Sequence, residues 1–538
     1  MIRTFRLFAS TALAFALTLS AAAQIANPAV NPLQVKTDKG MVEGAYTTDQ
    51  KVIAFKGIPY AKPPVGNLRW QPPMPSEKWE GVRPAKDFGS HCYQGVTYPD
   101  MVFRDPGPSE DCLTLNVWTP AGAAPGSLPV MVWIYGGGFI AGGTSEARQD
   151  GQFLAHRNVV IVSMNYRLGV FGFFAHPELT AESPRHASGN YGFMDQTAAL
   201  EWVKANIASF GGNPNNITLF GESAGSFSVS TLMASPVSKN LFQKAIGESG
   251  GAFSRPGHEY MSRGTVEYNC QEFARLAFHT AALSDLRKFS GEQIAAAAME
   301  RHFSPGPDID GYFLPVSVPQ IYAAGRQAHI PVLAGWNADE DRSQALYADP
   351  KITATLFQQE AQKDFGPAAA EFLKYYPASN DAEALQSASD YYSDRFISYT
   401  TWRWLEAQVQ TGGGAPVYRY RFDLGSPGDK NHSADIKAFH SDDIEYVFGT
   451  LDSRPEAKWR PEDRKLSDQI GSYWTNFART GDPNGGATSS STDLPKWPAY
   501  NAAGGWQVMH LDATSEAKPD TQRDRYLFLY QQWGRTHP

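Results

Sequence analysis

"ITLFGESAGSF", Ile217 to Phe227, joins an apolar run to Gly-Glu-Ser-Ala-Gly and then to the start of a helical apolar pattern. A strand, a tight turn and a helix in that order is the setting that lifts a nucleophilic serine above the end of a sheet. Gly221 and Gly225, two positions either side of Ser223, let strand and helix approach. A second match, Gly247 to Gly251 in "KAIGESGGAF", also follows an apolar run. The two differ downstream. Past Ser223 come Phe227, Val229, Leu232 and Met233, with no proline before Pro236, room for about three helical turns. Past Ser249 come Gly250, Gly251 and then Pro256-Gly257, which would break a helix at once. A helix start matters chemically because its unpaired N–H groups favour negative charge. Context therefore selects Ser223 as the nucleophile. Ser249 then reads as a supporting or a packing serine close to the site.

Around this stretch, strands alternate with helices. "PVMVWIY" (Pro129–Tyr135) and "VVIVSMNY" (Val159–Tyr166) are near-continuous apolar runs, as in strands covered on both faces. "MDQTAALEWVKANIASFGG" carries Leu200, Val203, Ile207 and Phe210 at helical spacing and stops at Gly211-Gly212. "PVLAGW" (Pro331–Trp336) and "VYRYRF" (Val417–Phe422) add strands. The expected fold is α/β: a mostly parallel twisted sheet with helices on both faces and large insertions, its site beyond the carboxyl ends of the strands.

A serine hydroxyl needs a base. In sheet hydrolases the chain order is nucleophile, acid, histidine. Beyond Glu340 stand His432, His440, His510 and His537. His440, in "AFHSDDIEYVFG", has apolar sequence on both sides to fix its ring. "AGWNADEDRS" puts Asp339, Glu340 and Asp341 just past a strand, where the acid belongs. Spacing does not choose among the three. "WIYGGGFIAGG" supplies Gly136, Gly137 and Gly138 after a strand as oxyanion donors, with Ala224 after the nucleophile as another. The same glycines fit a loose dinucleotide pattern through Ala141, but without the continuation into a helix. No His-Glu-X-X-His metal spacing occurs, and neither metal nor cofactor is expected.

Composition bounds the rest. The 538 residues are 42% hydrophobic and 19% charged, a globular mixture with ample core. Net charge is −8 without basic blocks, which argues against nucleic acid as a partner. The first residues, "MIRTFRLFASTALAFALTLSAAAQ", pair Arg3 and Arg6 with an apolar stretch and Ala21-Ala22-Ala23. That is the pattern of a signal peptide over 1–23, with the mature chain starting near Gln24 as a single domain over 24–538 and exported to the periplasm or beyond. No later stretch is apolar enough to span a bilayer.

Longer motifs in order resemble the type-B carboxylesterases, the family of the cholinesterases and bacterial para-nitrobenzyl esterases. They include "FKGIPYAKPPVGNLRW" (Phe55–Trp70), "EDCLTLNVW" (Glu110–Trp118), "NYRLGVFGF" (Asn165–Phe173), "FGGNPNNITLFGESAG" (Phe210–Gly225) and "HSDDIEYVFG" (His440–Gly449). The resemblance implies an α/β-hydrolase fold and cofactor-free hydrolysis of small-molecule carboxylic esters. It implies a triad of Ser223, Glu340 and His440, an oxyanion hole of Gly137, Gly138 and Ala224, and support from Ser249 and Glu222. It pairs Cys92 with Cys112, leaving Cys270 single. A bridge there would stabilise by roughly 3 kcal/mol in the loop-entropy model. The loop between these cysteines lacks the tryptophan with which cholinesterases hold a quaternary ammonium, which argues against a choline ester. Tyr98 and Phe303 fall at pocket positions. Asp341 stands where the family's acid motif has glycine; Asp tolerates left-handed backbone better than most residues. Two other readings fit the resemblance: a non-catalytic adhesion or binding protein, and an amide or carbamate hydrolase with the same triad. Oligomeric state is left open.

Overall fold

A computed structural model describes Met1 and residues 31–536, apart from 96, 97, 99, 254, 256, 431 and 486–493. Met1 apart, the expected signal peptide over 1–23 lies outside the described residues.

The apolar runs form strands buried along their whole length. The main sheet contains, in chain order, β1 (Ala45–Tyr46), β2 (Val52–Pro59), β3 (Thr114–Pro120), β4 (Leu128–Ile134), β5 (Val160–Met164) and β6 (Gly212–Glu222). It continues with β7 (Lys244–Glu248), β8 (Val332–Asn337), β9 (Val417–Phe422), β10 (Gln507–Leu511) and β11 (Glu516–Pro519). Every residue of β5, β7 and β8 is buried. The order across the sheet is β11-β10-β9-β8-β7-β6-β4-β5-β3-β2-β1. The strands from β10 through to β5 run parallel. Antiparallel strands extend both edges.

Helices cover both faces. Neighbouring residues of a strand point to opposite sides. A Cβ on Gly247 would meet the ring of Trp404, which lies on α1 (Tyr399–Thr411). The next residue, Glu248, accepts a hydrogen bond from Trp474 Nε1 on α2 (Pro461–Thr480) at 2.7 Å. One helix therefore covers each side of β7. The helix expected to run to Phe210 ends earlier: the α-helix closes at Asn206 and tightens into a 3-10 turn over Ile207–Phe210. Gly211 takes the left-handed conformation there, with φ of 91°, the usual way for a glycine to stop a helix.

Cys92 and Cys112 form a disulfide, and Cys270 is free and buried. No helix among the described residues is long and apolar enough to cross a membrane.

Candidate active site

The two Gly-Glu-Ser stretches lie side by side. β6 and β7 are parallel, with Gly221 opposite Gly247 and Glu222 opposite Glu248. Ser223 leaves β6 with φ of 53° and ψ of −123° and donates its N–H to the Glu248 carbonyl at 2.8 Å. That backbone region costs on the order of 1–3 kcal/mol for a residue with a Cβ. The helix over Ala224–Ala234 starts at once. Gly225 cannot be larger, because a Cβ there would collide with the Ile134 carbonyl of β4. Ser249 has the same φ, but among the described residues that follow it the first helix starts only at Arg263. Its N–H is held by the Gly335 carbonyl at 2.9 Å, and its side chain is buried.

The acid-bearing turn follows β8. Glu340 is buried and fully occupied. Oε1 accepts the Asn337 N–H at 2.7 Å and the Ser249 hydroxyl at 2.5 Å, while Oε2 lies 2.6 Å from His440 Nδ1. Asp339 instead faces Arg342 at 3.6 Å. Asp341 has φ of −132°, so this position does not require left-handed backbone and the aspartate is unstrained. Its carboxyl is pushed up to about 6 by burial, against the pull of the nearby His440.

The histidine loop is tied to that turn. Asn337 Nδ2 donates to the Phe439 carbonyl at 2.7 Å, and the Asp339 N–H donates to the Ala438 carbonyl at 3.0 Å. His440 Nε2 then sits 2.9 Å from Ser223 Oγ. With Nδ1 donating to Glu340, Nε2 is the acceptor that a serine hydroxyl needs. Glu222 Oε1 also approaches Nε2, at 3.3 Å. Burial works against a charged imidazole, but the carboxylates of Glu222 and Glu340 outweigh it and push His440 up to about 9. Burial likewise pushes the Glu222 carboxyl up to about 8, against the pull of His440.

After β4 the chain turns sharply through Gly137 and Gly138, with φ of 94° and 64°. Gly137 O accepts both the Ile140 and Ala141 N–H groups, and a Cβ on Gly137 would collide with the Ala141 carbonyl. Tyr98 lies over this turn: its hydroxyl is 3.5 Å from where a Gly138 Cβ would be. Gly138, Ser223 and Ala224 open onto a cavity of about 460 Å³. Phe303 is not among its lining residues; it stacks on Phe273 with centroids 4.3 Å apart. Arg255, Tyr260, Arg395 and Phe396 line the cavity and escaped the sequence reading. They belong to no motif and lie in segments far apart in the chain.

A mixed sheet with a hydroxyl–imidazole–carboxylate chain at its strand ends defines the class of the α/β hydrolases that use a serine. Residues 31–529 match the Carboxylesterase family. The chain is 36% identical to the fumonisin B1 esterase of Sphingopyxis macrogoltabida, over 87% of this chain and 84% of that one. It is 36% identical to the para-nitrobenzyl esterase of Bacillus subtilis, over 92% and 98%. A solved PNB esterase superposes with a TM-score of 0.77 at 32% identity, over 93% of this chain and 99% of the other. The chain belongs to the carboxylesterase family and hydrolyses carboxylic esters.

Proposed function

We propose that the ester hydrolysis runs through Ser223, His440 and Glu340. Ser223 Oγ attacks the ester carbonyl as His440 Nε2 takes its proton. Glu340 keeps the ring in the required tautomer and stabilises the imidazolium. The N–H groups of Gly137, Gly138 and Ala224 receive the oxyanion, each worth roughly 2.7–4 kcal/mol of barrier. His440 protonates the departing alcohol, and water then cleaves the acyl-enzyme by the same route. Ser249 and Glu222 act through their neighbours: Ser249 fixes the Glu340 carboxylate, and Glu222 favours the imidazolium. The observation that carries this reading is the unbroken run of hydrogen bonds from Ser223 Oγ through both ring nitrogens to Glu340. The same run favours an enzyme over a binding protein.

The chain is further read as one domain over 24–538, exported after cleavage of 1–23. The Cys92–Cys112 disulfide is compatible with an oxidising compartment. Mass measurement of the mature protein is expected to give a start near Gln24; an intact first segment would refute that cleavage. For the chemistry, Ser223→Ala is expected to abolish hydrolysis of an aryl ester and covalent labelling by an organophosphonate. Undiminished turnover or labelling in that variant would overturn the assignment.

A further inference from the structure

The cavity beside Ser223 carries more positive charge than a neutral ester calls for. Arg255 and Arg395 both line it. Among the described residues no carboxylate lies within ion-pair distance of either guanidinium. Arg395 rests over the Tyr391 ring, 5.4 Å from its centroid. Burial and the neighbouring Arg395 both act to lower the Arg255 pKa. His258 lines the same wall and is held below the usual histidine range by burial, then by both arginines. Glu259 is the carboxylate in the lining, and its Oε2 already accepts the Gly257 N–H at 2.8 Å. A chain of net charge −8 thus turns unpaired cations toward its candidate nucleophile.

The backbone holds one of them there. Asp394–Ser398 is a turn of π-helix, a rare insertion that occurs frequently at functional sites. Asp394 points away from the cavity, bonded to Tyr376 Oη at 2.6 Å and to Arg525 Nη2 at 3.0 Å. The next residues, Arg395 and Phe396, face the cavity. The Phe396 ring packs edge-on against His440, centroids 4.9 Å apart. The guanidinium is therefore one residue from a ring that touches the candidate base. Two unpaired, partly desolvated guanidinium groups are a strong receptor for a carboxylate, because arginine offers planar paired donors and attraction is less screened in a cavity.

We infer that the preferred substrates are esters bearing a free carboxylate on the acyl or the alcohol portion, with Arg255 and Arg395 as its counter-ions. This rests on Ser223 as the nucleophile.

The test compares matched esters. 4-Nitrobenzyl hydrogen glutarate is set against its uncharged 4-carbamoylbutanoate analogue. 4-Carboxybenzyl butyrate is set against 4-carbamoylbenzyl butyrate. The readout is the charged-to-neutral ratio of kcat/KM. In the native enzyme at least one pair is expected to give a ratio of about tenfold or more, falling as salt is raised. The pair that responds tells which portion carries the charge. Arg255→Gln with Arg395→Gln is expected to bring that ratio close to one, and Arg395→Lys to retain part of it. Ratios near or below one for both pairs in the native enzyme overturn the inference, as does a ratio indifferent to the double substitution. Turnover of the neutral esters by native enzyme and its loss in Ser223→Ala report on the nucleophile separately. A failed ratio with intact neutral turnover thus counts against the arginines alone.

Discussion

Ser249 Oγ donates to Glu340 Oε1 at 2.5 Å, on the oxygen opposite the one that holds His440. The second Gly-Glu-Ser thus fixes the carboxylate that fixes the imidazole. Ser249→Ala removes that donor and leaves the Asn337 N–H in place. A hydrogen bond to a charged group is worth about 1.5–3 kcal/mol. Steady-state kinetics are expected to show kcat lower by roughly tenfold with KM little changed, and Ser249→Thr to recover part of the loss.

Of the three adjacent acids, Glu340 alone touches His440. Glu340→Gln is expected to lower kcat by on the order of 10³–10⁴, as loss of the orienting carboxylate does in a serine triad. Asp339→Asn, which disturbs a contact with Arg342, is expected to stay within about threefold. The reverse ranking would move the acid role.

The pH profile follows from the charges around His440. Only the neutral imidazole can take the serine proton, so kcat/KM rises with pH through the histidine's pKa. The carboxylates of Glu222 and Glu340, prevailing over burial, push that value up to about 9. The acid limb is therefore expected well above the ordinary histidine range. Glu222→Gln removes an anion that favours the imidazolium, so its limb is expected at lower pH. A limb unmoved, or moved upward, in this variant would contradict the electrostatic account.

Two glycines give opposite stability outcomes. A Cβ on Gly225 would strike the Ile134 carbonyl, and neither backbone can yield without disturbing the sheet. Gly225→Ala is expected to cost about 3 kcal/mol or more and to lower the thermal midpoint. Gly264 lies in the helix over Arg263–Phe278 with nothing within 4 Å of a Cβ. There Ala is expected to stabilise by about 0.5–1 kcal/mol. Calorimetry on both variants checks the signs.

Cys270 is buried, and burial raises its thiol pKa. Iodoacetamide is expected to leave the native protein unlabelled and to modify a single thiol after unfolding without reductant.

The sequence was most legible where one local pattern carries the geometry. Strand, turn and helix around Ser223 favour it over Ser249 as the candidate nucleophile, because a helix cannot continue through Gly250-Gly251 and Pro256. The candidate acid was less legible. Asp339, Glu340 and Asp341 occupy one turn, and only its folded shape decides which side chain turns inward. The resemblance to a family, rather than spacing, singled out Glu340. Asp341 stands where the family has glycine, yet its φ of −132° is not a backbone region that needs one. The cavity wall was not legible at all. Arg255 and Arg395 lie far apart in the chain, and a π-turn leaves no periodic trace in the residues that form it. Phe303, placed at a pocket position by resemblance, packs on Phe273 instead of lining the cavity.

The in-register ends of β6 and β7, with the turn after β8 bonded to the histidine loop, give the reacting groups a stiff common mounting. The walls of the chamber hang on long excursions between those strands. Directed evolution can exploit that division of labour: libraries randomised over the excursions can retune which molecules fit while the mounting keeps its alignment.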